Sequence, residues 1–527
     1  MIKDKFIRGA LILTIAGLSV KVLGAVNRIL LSRLLGGEGI GLYQMAYPVY
    51  LMILSISSAG VPIAISILVS EKVAKRDFFA AKRVFKLSFG IMFIMGLFFS
   101  ALLYFTAKFL ILAGILRDTR AYYAIVALTP AVFFATLLAS FRGYFQGFQE
   151  MTPPAISQIL EQFVRVMTML ALAYYLLPMG LEYAAAGAAF GALPGSVTGL
   201  IVLSIFYYKN KEKFNKKSKD SQIVEKWSKL TKRLVKLALP VSAANLLVPL
   251  VMAVDMLIIP NRLEVAGFSI KEATTLFGYL AGMAYPLVMM ATIPTLSITT
   301  SIVPAISEFK VLNDPLNIQK KINTALRLLG FITIPAAVGM FVLGTPIASC
   351  LYSASAAGPI IKVLAPAVIL FGLQQVTTGI LQGLGMTVIP MLNMIFSIIV
   401  KAILVWVLVA DPSFGIIGAT IASVLNFGLV AGLNIWFIIK LGKVAFPLNI
   451  LKRIFLAAVL MGLFVKGSYS FLITTNLKAP FSLAISVIIG AISYLLFLLL
   501  TREFKNEELC KIPRVGKWLA SNFANNK

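Results

Sequence analysis

The chain has 527 residues, of which 59% are hydrophobic and 13% are charged, and its mean hydropathy is +0.93. This composition excludes an ordinary soluble protein and indicates a membrane protein with many spans. Because the chain has no histidine and only two cysteines, we expect no metal site, no cofactor and no disulfide framework.

Fourteen apolar runs follow one another along the chain, each long enough to cross a bilayer as a helix. They occupy residues 7–34, 43–70, 85–114, 121–147, 154–177, 184–208, 237–259, 274–306, 326–352, 360–384, 388–410, 416–440, 453–474 and 481–501. The first run starts like a signal peptide but lacks a small-residue cleavage site. The sequence therefore predicts an all-α membrane protein with 14 transmembrane helices.

The net charge of +28 comes from basic residues that are concentrated in alternate loops. The basic segments are 3–8, 72–86, 209–236, 310–327, 440–453 and 502–527. Under the positive-inside rule these segments face the cytoplasm, so we predict a multi-pass membrane protein with both termini cytoplasmic. Topology explains the charge, and no nucleic-acid partner is expected.

Three short motifs recur at an offset of 236 to 238 residues. Met-Ala-Tyr-Pro occurs at 45–48 and 283–286, Gly-x-x-Gln-Gly at 143–147 and 379–383, and Ser-Glu at 70–71 and 307–308. Such repeats are typical of transporters in which two like halves rock around a site between them.

The repeats divide the chain into four predicted parts. These are an N-lobe (1–208), a basic cytoplasmic linker (209–236), a C-lobe (237–440) and two C-terminal helices with a basic tail (441–527). The stretch from Trp227 to Leu239 is either a basic amphipathic helix on anionic headgroups or a solvated loop, and the loop is the favoured interpretation.

The repeated motifs also contain candidate hinge and packing residues. Pro48 and Pro286 are predicted to kink the second and eighth helices and to provide a bend for opening and closing. Gln146 and Gln382 lie beside glycines that allow close helix contact, and their side chains can form hydrogen bonds between helices.

Charged residues inside the apolar runs are candidate site residues, because a charge in mid-membrane normally faces a cavity or a partner. Lys21 and Arg28 are seven residues apart and therefore share one helix face. A cavity position is favoured for Lys21, whereas a cavity and the headgroups are equally supported for Arg28. Arg33 is expected to reach the headgroups.

Arg165 in the fifth run and Lys401 in the eleventh are related by the repeat offset of 236 residues. Both should lie about 15 to 20 Å from the cytoplasmic end, where a cation cannot easily reach the headgroups. The alternative for Arg165 is a structural pair with Glu161. Glu161 and Asp255 are the deep acids, and each either carries a coupling ion or forms a structural ion pair.

With these motifs, the sequence resembles the multidrug/oligosaccharidyl-lipid/polysaccharide (MOP) exporter superfamily over nearly its whole length. The resemblance rests on Lys-Val-Leu-Gly-Ala-Val-Asn-Arg at 21–28, on residues 34–48, on Ala-Gly-Val-Pro at 59–62 and on Ser-Glu at 70–71. The sequence is similar to the polysaccharide biosynthesis branch, and within it to the group of stage V sporulation protein B, which is related to the lipid II flippases.

The resemblance implies a V-shaped, MATE-like fold of two pseudo-symmetric six-helix lobes around a central cavity, plus two C-terminal helices that form a groove for a polyprenyl tail. In the lipid II flippases, cations on the first helix are implicated in handling the lipid diphosphate, and Lys21 falls on one such position. Asn27 replaces the next family arginine, with Arg28 beside it. The family arginines of the second and eighth helices are absent from 51–55 and 280–282.

Together these features predict a flippase that exports a lipid-linked oligosaccharide by alternating access, with the peptidoglycan precursor lipid II as the leading substrate. Its diphosphate would contact Lys21, Arg28, Arg165 and Lys401, and Na⁺, H⁺ or the membrane potential would drive its movement. The expected partners are this substrate and membrane lipids. A functional monomer is expected, with cell-wall synthesis proteins as candidate partners, in vegetative growth or sporulation.

Two alternatives stay open. One is a Na⁺- or H⁺-coupled multidrug or metabolite antiporter of the same superfamily, although organic cations would favour acids over bases in the cavity. The other is a flippase for a different polysaccharide precursor. No enzyme activity is expected, because the outer loops are short and carry no paired carboxylates of the kind that glycosyl chemistry needs.

Overall fold

The computed structural model describes residues 2–58, 60–209, 226–442 and 448–501. Within these ranges the chain forms helices joined by turns, with no strand. Linker residues 210–225 and the basic tail from residue 502 lie outside the described residues. The chain divides into two compact units, Met1–Gly282 and Met283–Lys527, and the four parts defined from the repeats stay a prediction.

The described α-helices follow one another along the chain, with short 3₁₀ segments at Leu177–Met179 and Ser355–Ala357. In the first unit they are α1 (Ile2–Ser58), α2 (Val61–Ala74), α3 (Phe78–Leu112), α4 (Ala121–Gly147), α5 (Thr152–Leu176), α6 (Leu181–Phe190), α7 (Ala192–Lys209), α8 (Trp227–Val265) and α9 (Ile270–Phe277). A π-helical segment, Gly278–Ala284, contains the unit boundary.

The second unit continues from that segment. Its described helices are α10 (Tyr285–Ala291), α11 (Ile293–Val311), α12 (Pro315–Tyr352), α13 (Gly358–Leu364), α14 (Pro366–Gly383), α15 (Val388–Leu408), α16 (Gly415–Gly442), α17 (Leu448–Thr474) and α18 (Ala479–Leu500).

Twelve helical segments in the described ranges are long and apolar enough to span a membrane, or 13 if the bent pair Ser355–Leu364 and Pro366–Gly383 forms one span. The predicted count of fourteen is therefore approached but not reached. The first two predicted runs form one segment of 64 residues, Leu11–Ala74. At 1.5 Å per residue it would be about 96 Å long, three times the hydrocarbon core. Gly36 interrupts it with a φ of 65° and a ψ of −172°.

The repeated Gly-x-x-Gln-Gly motif lies at equivalent helix contacts in the two units. A Cβ on Gly147 would lie 2.6 Å from the Cβ of Val69, and a Cβ on Gly383 would lie 2.9 Å from the Cβ of Ile306. Neither distance leaves room for a methyl group. Glycine therefore allows α4 to pack directly on α2, and α14 to pack directly on α11.

The predicted hinge and packing residues occupy different surroundings. Gln146 is half-buried and Gln382 is exposed, whereas Pro48 and Pro286 are both buried. Pro48 lies inside α1, and Pro286 is the second residue of α10, directly after the π-helical segment. Their roles in bending and packing stay predictions.

The basic stretch Trp227–Leu239 forms the first turns of α8, so its interpretation as a loop is wrong and its interpretation as a helix is confirmed. Its apolar side chains Leu230 and Leu234 are buried in the core of the first unit. Arg233 also pairs with Glu71 of α2 at 2.6 Å. These contacts mean that protein, rather than anionic headgroups, covers Leu230 and Leu234.

An ionic cluster joins α1, the α3–α4 loop and α9 within the first unit. Arg120 pairs with Glu38 at 2.7 Å and with Asp118 at 2.8 Å, and the hydroxyl of Thr274 donates to Asp118 at 2.7 Å. The hydrogen bond to Asp118 is the main reason that the pKa of Arg120 lies above its ordinary value. Beside this cluster, a Cβ on Gly41 would lie only 2.1 Å from the carbonyl oxygen of Thr274.

Candidate functional site

The antiparallel neighbours α4 and α5 bring together two arginines and one glutamate, which we call the arginine triad. Arg142 Nη2 donates to Glu161 Oε2 at 2.5 Å, and Arg165 Nη2 donates to Glu161 Oε1 at 2.7 Å. Glu161 lies nine residues into α5, roughly 14 Å from its start at 1.5 Å per residue. One carboxylate therefore bridges two guanidinium groups inside a membrane-spanning pair of helices.

The arginine triad has more hydrogen-bond donors than acceptors and a net charge of +1. The Nε groups of Arg142 and Arg165 are buried and have no hydrogen-bond partner among the residues that the structure describes. The three side chains nevertheless keep 23%, 13% and 19% of their surface accessible, in the order Arg142, Glu161, Arg165. Buried donors normally have acceptors, so this arrangement is suited to an additional anion with oxygen acceptors.

Four glycines, spaced four residues apart from α6 into α7, pack against α5. A Cβ on Gly195 would lie 2.9 Å from both the Cβ of Arg165 and the carbonyl oxygen of Glu161. Gly187 and Gly191 approach α5 just as closely, and a Cβ on Gly199 would lie 3.2 Å from both Ser157 Oγ of α5 and Leu138 Cδ2 of α4. The α5 backbone that carries Glu161 and Arg165 is therefore fixed by direct helix contact. The four-residue spacing of these glycines is a sequence signal for that contact.

Three tyrosines of α1 lie near Arg165: Tyr43, Tyr47 and Tyr50. The rings of Tyr43 and Tyr47 stack with centroids 5.5 Å apart, and those of Tyr47 and Tyr50 are 5.9 Å apart. Tyr43 also lies near Arg28. The three tyrosines are thus neighbours of the predicted cation of α1 and of the predicted cation of α5.

The structure treats the cations of α1 differently. Arg28 is half-buried, whereas Lys21 and Arg33 are exposed. Between the first two, Asn27 is buried and its Nδ2 donates to Met169 Sδ of α5 at 3.5 Å. Asn27, which replaces the family arginine, therefore packs α1 on α5. The hydrogen bonds of the arginine triad do not include Lys21, so its role in substrate binding stays a prediction.

Lys401 is the equivalent cation of the second unit, and it is only 1% exposed. Its Nζ donates to the hydroxyl of Tyr285 at 3.3 Å and lies 5.7 Å from the centre of that ring. The same hydroxyl forms a hydrogen bond with Ser423 of α16. Lys401 follows the first residue of α15 by 13 residues, as Arg165 follows the first residue of α5 by 13.

The repeated Met-Ala-Tyr-Pro motif therefore supplies a tyrosine to the repeated cation in both units. Tyr47 lies near Arg165, and Tyr285 accepts a hydrogen bond from Lys401. Sequence reasoning singled out the proline of this motif and missed its tyrosine. It also missed Arg142, because that residue meets Glu161 from a different helix and not at a helical spacing.

Polar side chains in the two helical turns before Lys401 on α15 form hydrogen bonds with α16 in the second unit. Asn393 Nδ2 donates to Asn434 Oδ1 at 2.9 Å, and one helical turn further along α15 the hydroxyl of Ser397 donates to Asn426 Oδ1 at 2.8 Å. All four residues are buried. These side-chain hydrogen bonds satisfy groups that would otherwise lie unpaired in an apolar interior.

Asp255 is buried in α8, at 4% exposure. The ion pairs of the arginine triad do not include it. The side chains that the structure describes contain no group of three or more His, Cys, Asp or Glu that could hold a metal ion. An ion-coupling role for Asp255 or Glu161 stays a prediction.

Comparison with known proteins gives consistent relatives over the whole chain. The model of the family described as polysaccharide biosynthesis protein matches residues 6–310, and that of the MatE family matches residues 240–407. Stage V sporulation protein B of Bacillus subtilis (strain 168) is 32% identical over 518 residues, covering 98% of this chain and 99% of that protein. Lipid II flippase MurJ of the same organism is 27% identical over 488 residues, covering 88% of each.

Solved structures have the same fold. The structure of lipid II flippase MurJ in an inward closed conformation matches with a TM-score of 0.69 and 18% identity, over 94% of this chain and 99% of that one. An inward-facing multidrug resistance MATE family transporter matches with a TM-score of 0.66 and 15% identity, over 80% and 95% of the two chains. The predicted MOP-type helical fold is confirmed, and the chain belongs to the polysaccharide biosynthesis protein family of the MOP superfamily.

Proposed function

We propose that this protein is a flippase for lipid-linked oligosaccharides, and that its substrate is the undecaprenyl-diphosphate peptidoglycan precursor lipid II. Family membership supports the general activity, and the similarity to lipid II flippase MurJ supports the substrate. The similarity to a sporulation protein makes cell-wall synthesis during sporulation a second setting besides vegetative growth. The protein acts as a transporter and not as an enzyme.

The observation that carries this proposal is the arginine triad, with two buried Nε donors that have no acceptor. A lipid diphosphate offers several anionic oxygens on a molecule whose tail can stay in the bilayer. Arginine recognises phosphate oxygens with two parallel hydrogen bonds, which gives orientation as well as attraction. The site therefore suits the diphosphate of a lipid-linked sugar better than it suits an organic cation.

In the proposed mechanism, the substrate head enters from the cytoplasmic leaflet of the bacterial cytoplasmic membrane, where both termini lie. Lys21 and Arg28 attract the diphosphate, Arg165 binds it within the membrane, and Lys401 binds it in the second unit. A negative-inside potential favours outward movement of an anion by about 2.3 kcal/mol per charge at 100 mV. Transport by a monomer can use this potential without a cofactor.

The test is the accessibility of lipid II in the outer leaflet of cells that are depleted of the protein and complemented with variants. We expect wild type and Lys108→Gln to restore accessibility, because Lys108 is an exposed lysine near the end of α3. We expect Arg165→Gln and Lys401→Gln to fail at equal expression. Restoration by both of these variants would exclude a role of the two cations in flipping.

A drug or metabolite antiporter is the second candidate function, and the match of residues 240–407 to the MatE family favours it. Such a transporter would confer resistance to cationic dyes on a sensitive host. Dye resistance together with unchanged lipid II accessibility would support this alternative. Unchanged lipid II accessibility with accumulation of another lipid-linked glycan would support a flippase for a different polysaccharide precursor.

A further inference from the structure

We propose that Glu161 is a built-in counter-ion that a diphosphate displaces, and that Arg142 is the second guanidinium of the same anion-binding site. The inference takes its ligand class, a diphosphate, from the proposed function. It assigns a binding role to Arg142 and a competing role to Glu161, rather than ion coupling or helix stabilisation.

The first argument is the way Glu161 uses the two guanidinium groups. Nε and Nη2 lie on the same edge of a guanidinium, the edge that forms two parallel hydrogen bonds with a carboxylate or a phosphate. Glu161 accepts only from the Nη2 groups of Arg142 and Arg165, one through each carboxylate oxygen. The Nε group on each edge has no partner. One carboxylate is thus divided between two edges, each of which could bind a full phosphate group.

The second argument is charge. With Glu161 in place the arginine triad carries a net charge of +1, and without it the two arginines carry +2. A diphosphate has at least two negative charges and several acceptor oxygens, so it can satisfy both edges at once. An orthophosphate has fewer oxygens to divide between two arginines. We therefore expect pyrophosphate to bind more tightly than orthophosphate.

The third argument is that displacement needs only a side-chain rotation. The glycines of α6 and α7 contact the backbone of α5 at Glu161 and Arg165, so the helix itself is held. The three side chains are partly accessible, whereas the two Nε groups are buried, so a ligand would reach the full edge of each guanidinium as Glu161 rotates away. Glu161 therefore orients both arginines before the substrate binds, and a more highly charged anion displaces its carboxylate.

The experiment measures the binding of inorganic pyrophosphate and orthophosphate to the purified full-length protein by titration calorimetry at fixed ionic strength. We expect Glu161→Gln to bind pyrophosphate about tenfold more tightly, because a like charge is removed within a few ångströms of the ligand. We expect Arg142→Gln to bind it at least about tenfold more weakly, and Arg142→Lys to fall between, because lysine lacks the two-donor edge.

Glu182→Gln is the matched control, since it removes one acid from the first unit at the start of α6, away from the arginine triad. Its affinity for pyrophosphate should equal that of wild type. Unchanged or weaker binding by Glu161→Gln would overturn the counter-ion role. If Glu161→Gln does not fold, Arg142→Gln still tests the site, because the pair between Glu161 and Arg165 is retained; wild-type affinity in that variant would overturn the role of Arg142.

A competition arm identifies the source of the diphosphate. Undecaprenyl diphosphate in nanodiscs should displace pyrophosphate from wild type, and failure to displace it would overturn a lipid ligand for this site. Pyrophosphate binding with the expected pattern in a protein that does not flip lipid II would support the counter-ion and overturn the flippase. Flipping with pyrophosphate affinities that respond to neither substitution would overturn this inference alone.

Discussion

The two units join equivalent helices in different ways. In the first unit α5 meets α6 and α7 through the glycine series at 187, 191, 195 and 199. The repeat offset places Ser423, Phe427, Ala431 and Ile435 at the corresponding positions of α16. There hydrogen bonds run from Asn393 to Asn434 and from Ser397 to Asn426, and among the residues described there a glycine contact is found only where Gly418 meets the end of α15.

This difference shows two solutions to one physical problem. Inside a bilayer the hydrophobic effect does not drive helices together, so association depends on close packing of small residues or on hydrogen bonds between polar ones. The cations differ in parallel: Arg165 has a counter-ion and is partly accessible, whereas Lys401 is buried against a tyrosine hydroxyl. Duplication preserved the position of the charge but not its environment.

The largest effect is expected for Gly195→Val in the glycine series. A Cβ at this position would lie 2.9 Å from the Cβ of Arg165, and we expect overpacking to cost up to about 3 kcal/mol of folding stability. Gly432→Val on α16 is the control, because no atom lies within 4 Å of a Cβ there. Thermal unfolding in detergent measures both variants, and equal melting temperatures would contradict the proposed role of the glycine contact.

The environments of the two cations can be separated by replacing each with methionine. Lys401→Met replaces a buried ammonium group with an unbranched apolar side chain, so we expect a smaller loss of stability than at Arg165 but at least about tenfold slower flipping. Arg165→Met should lower both quantities, because Glu161 loses one of its two guanidinium partners. Flipping assays in vesicles, together with thermal unfolding, measure the two quantities. Normal flipping by Lys401→Met would make that residue structural.

The hydrogen bond between Asn393 and Asn434 predicts that the stability effects of replacing these two residues are not additive. Asn434→Leu should cost about 1 kcal/mol, because the buried amide of Asn393 loses its acceptor. The double variant Asn393→Leu/Asn434→Leu should recover the part of that loss that comes from the unpaired amide of Asn393, whereas the hydrogen bonds from Asn434 to Thr377 and Thr378 are lost in both variants. A double-mutant cycle on unfolding free energies measures the coupling, and additive losses would show that the pair contributes nothing.

The smallest effect is expected at the helix starts, where the two units are alike. Asp77 caps α3 and Asp314 caps α12, each through a hydrogen bond from a backbone N–H three residues later. Hydrogen bonds from Asn317 lower the pKa of Asp314, so the cap stabilises the protein above the unfolded-state pKa and is lost as the pH falls through the lowered value. Asp314→Ala should be less stable than wild type at neutral pH. Their melting temperatures should converge below about pH 3.9, and a constant difference would contradict this.

The sequence was sufficient for the helical fold and for the equivalence of Arg165 and Lys401. An apolar run must form a helix in a bilayer, and a repeat offset carries one position onto another at the same depth. The exact number of spans was not predictable in this way. Between the first two runs, a single residue departs from helical geometry. It is Gly36, which has a positive φ within helix α1.

The contacts of the candidate site were harder to predict, because they join residues from different helices. The pair of Arg142 and Glu161 depends on how α4 is rotated against α5, which no periodicity within one helix specifies. The burial of Leu230 and Leu234 likewise depends on the helices that cover them. The glycine series was available in the sequence, since a four-residue spacing of glycines predicts a close helix contact.

The division of the chain into two units has a consequence for any attempt to split the gene. According to the repeat offset, α8 and α9 begin the second half of the chain. They nevertheless belong to the first compact unit. The backbone N–H of Gly60 donates to Ser242 Oγ of α8 at 3.0 Å, and Gly41 touches Thr274 of α9. Of two polypeptides separated between residues 210 and 225, the first would lack α8 and α9 of its own unit, and the second would carry them in addition to the complete second unit. The first fragment should therefore be stable only when the second is co-expressed with it.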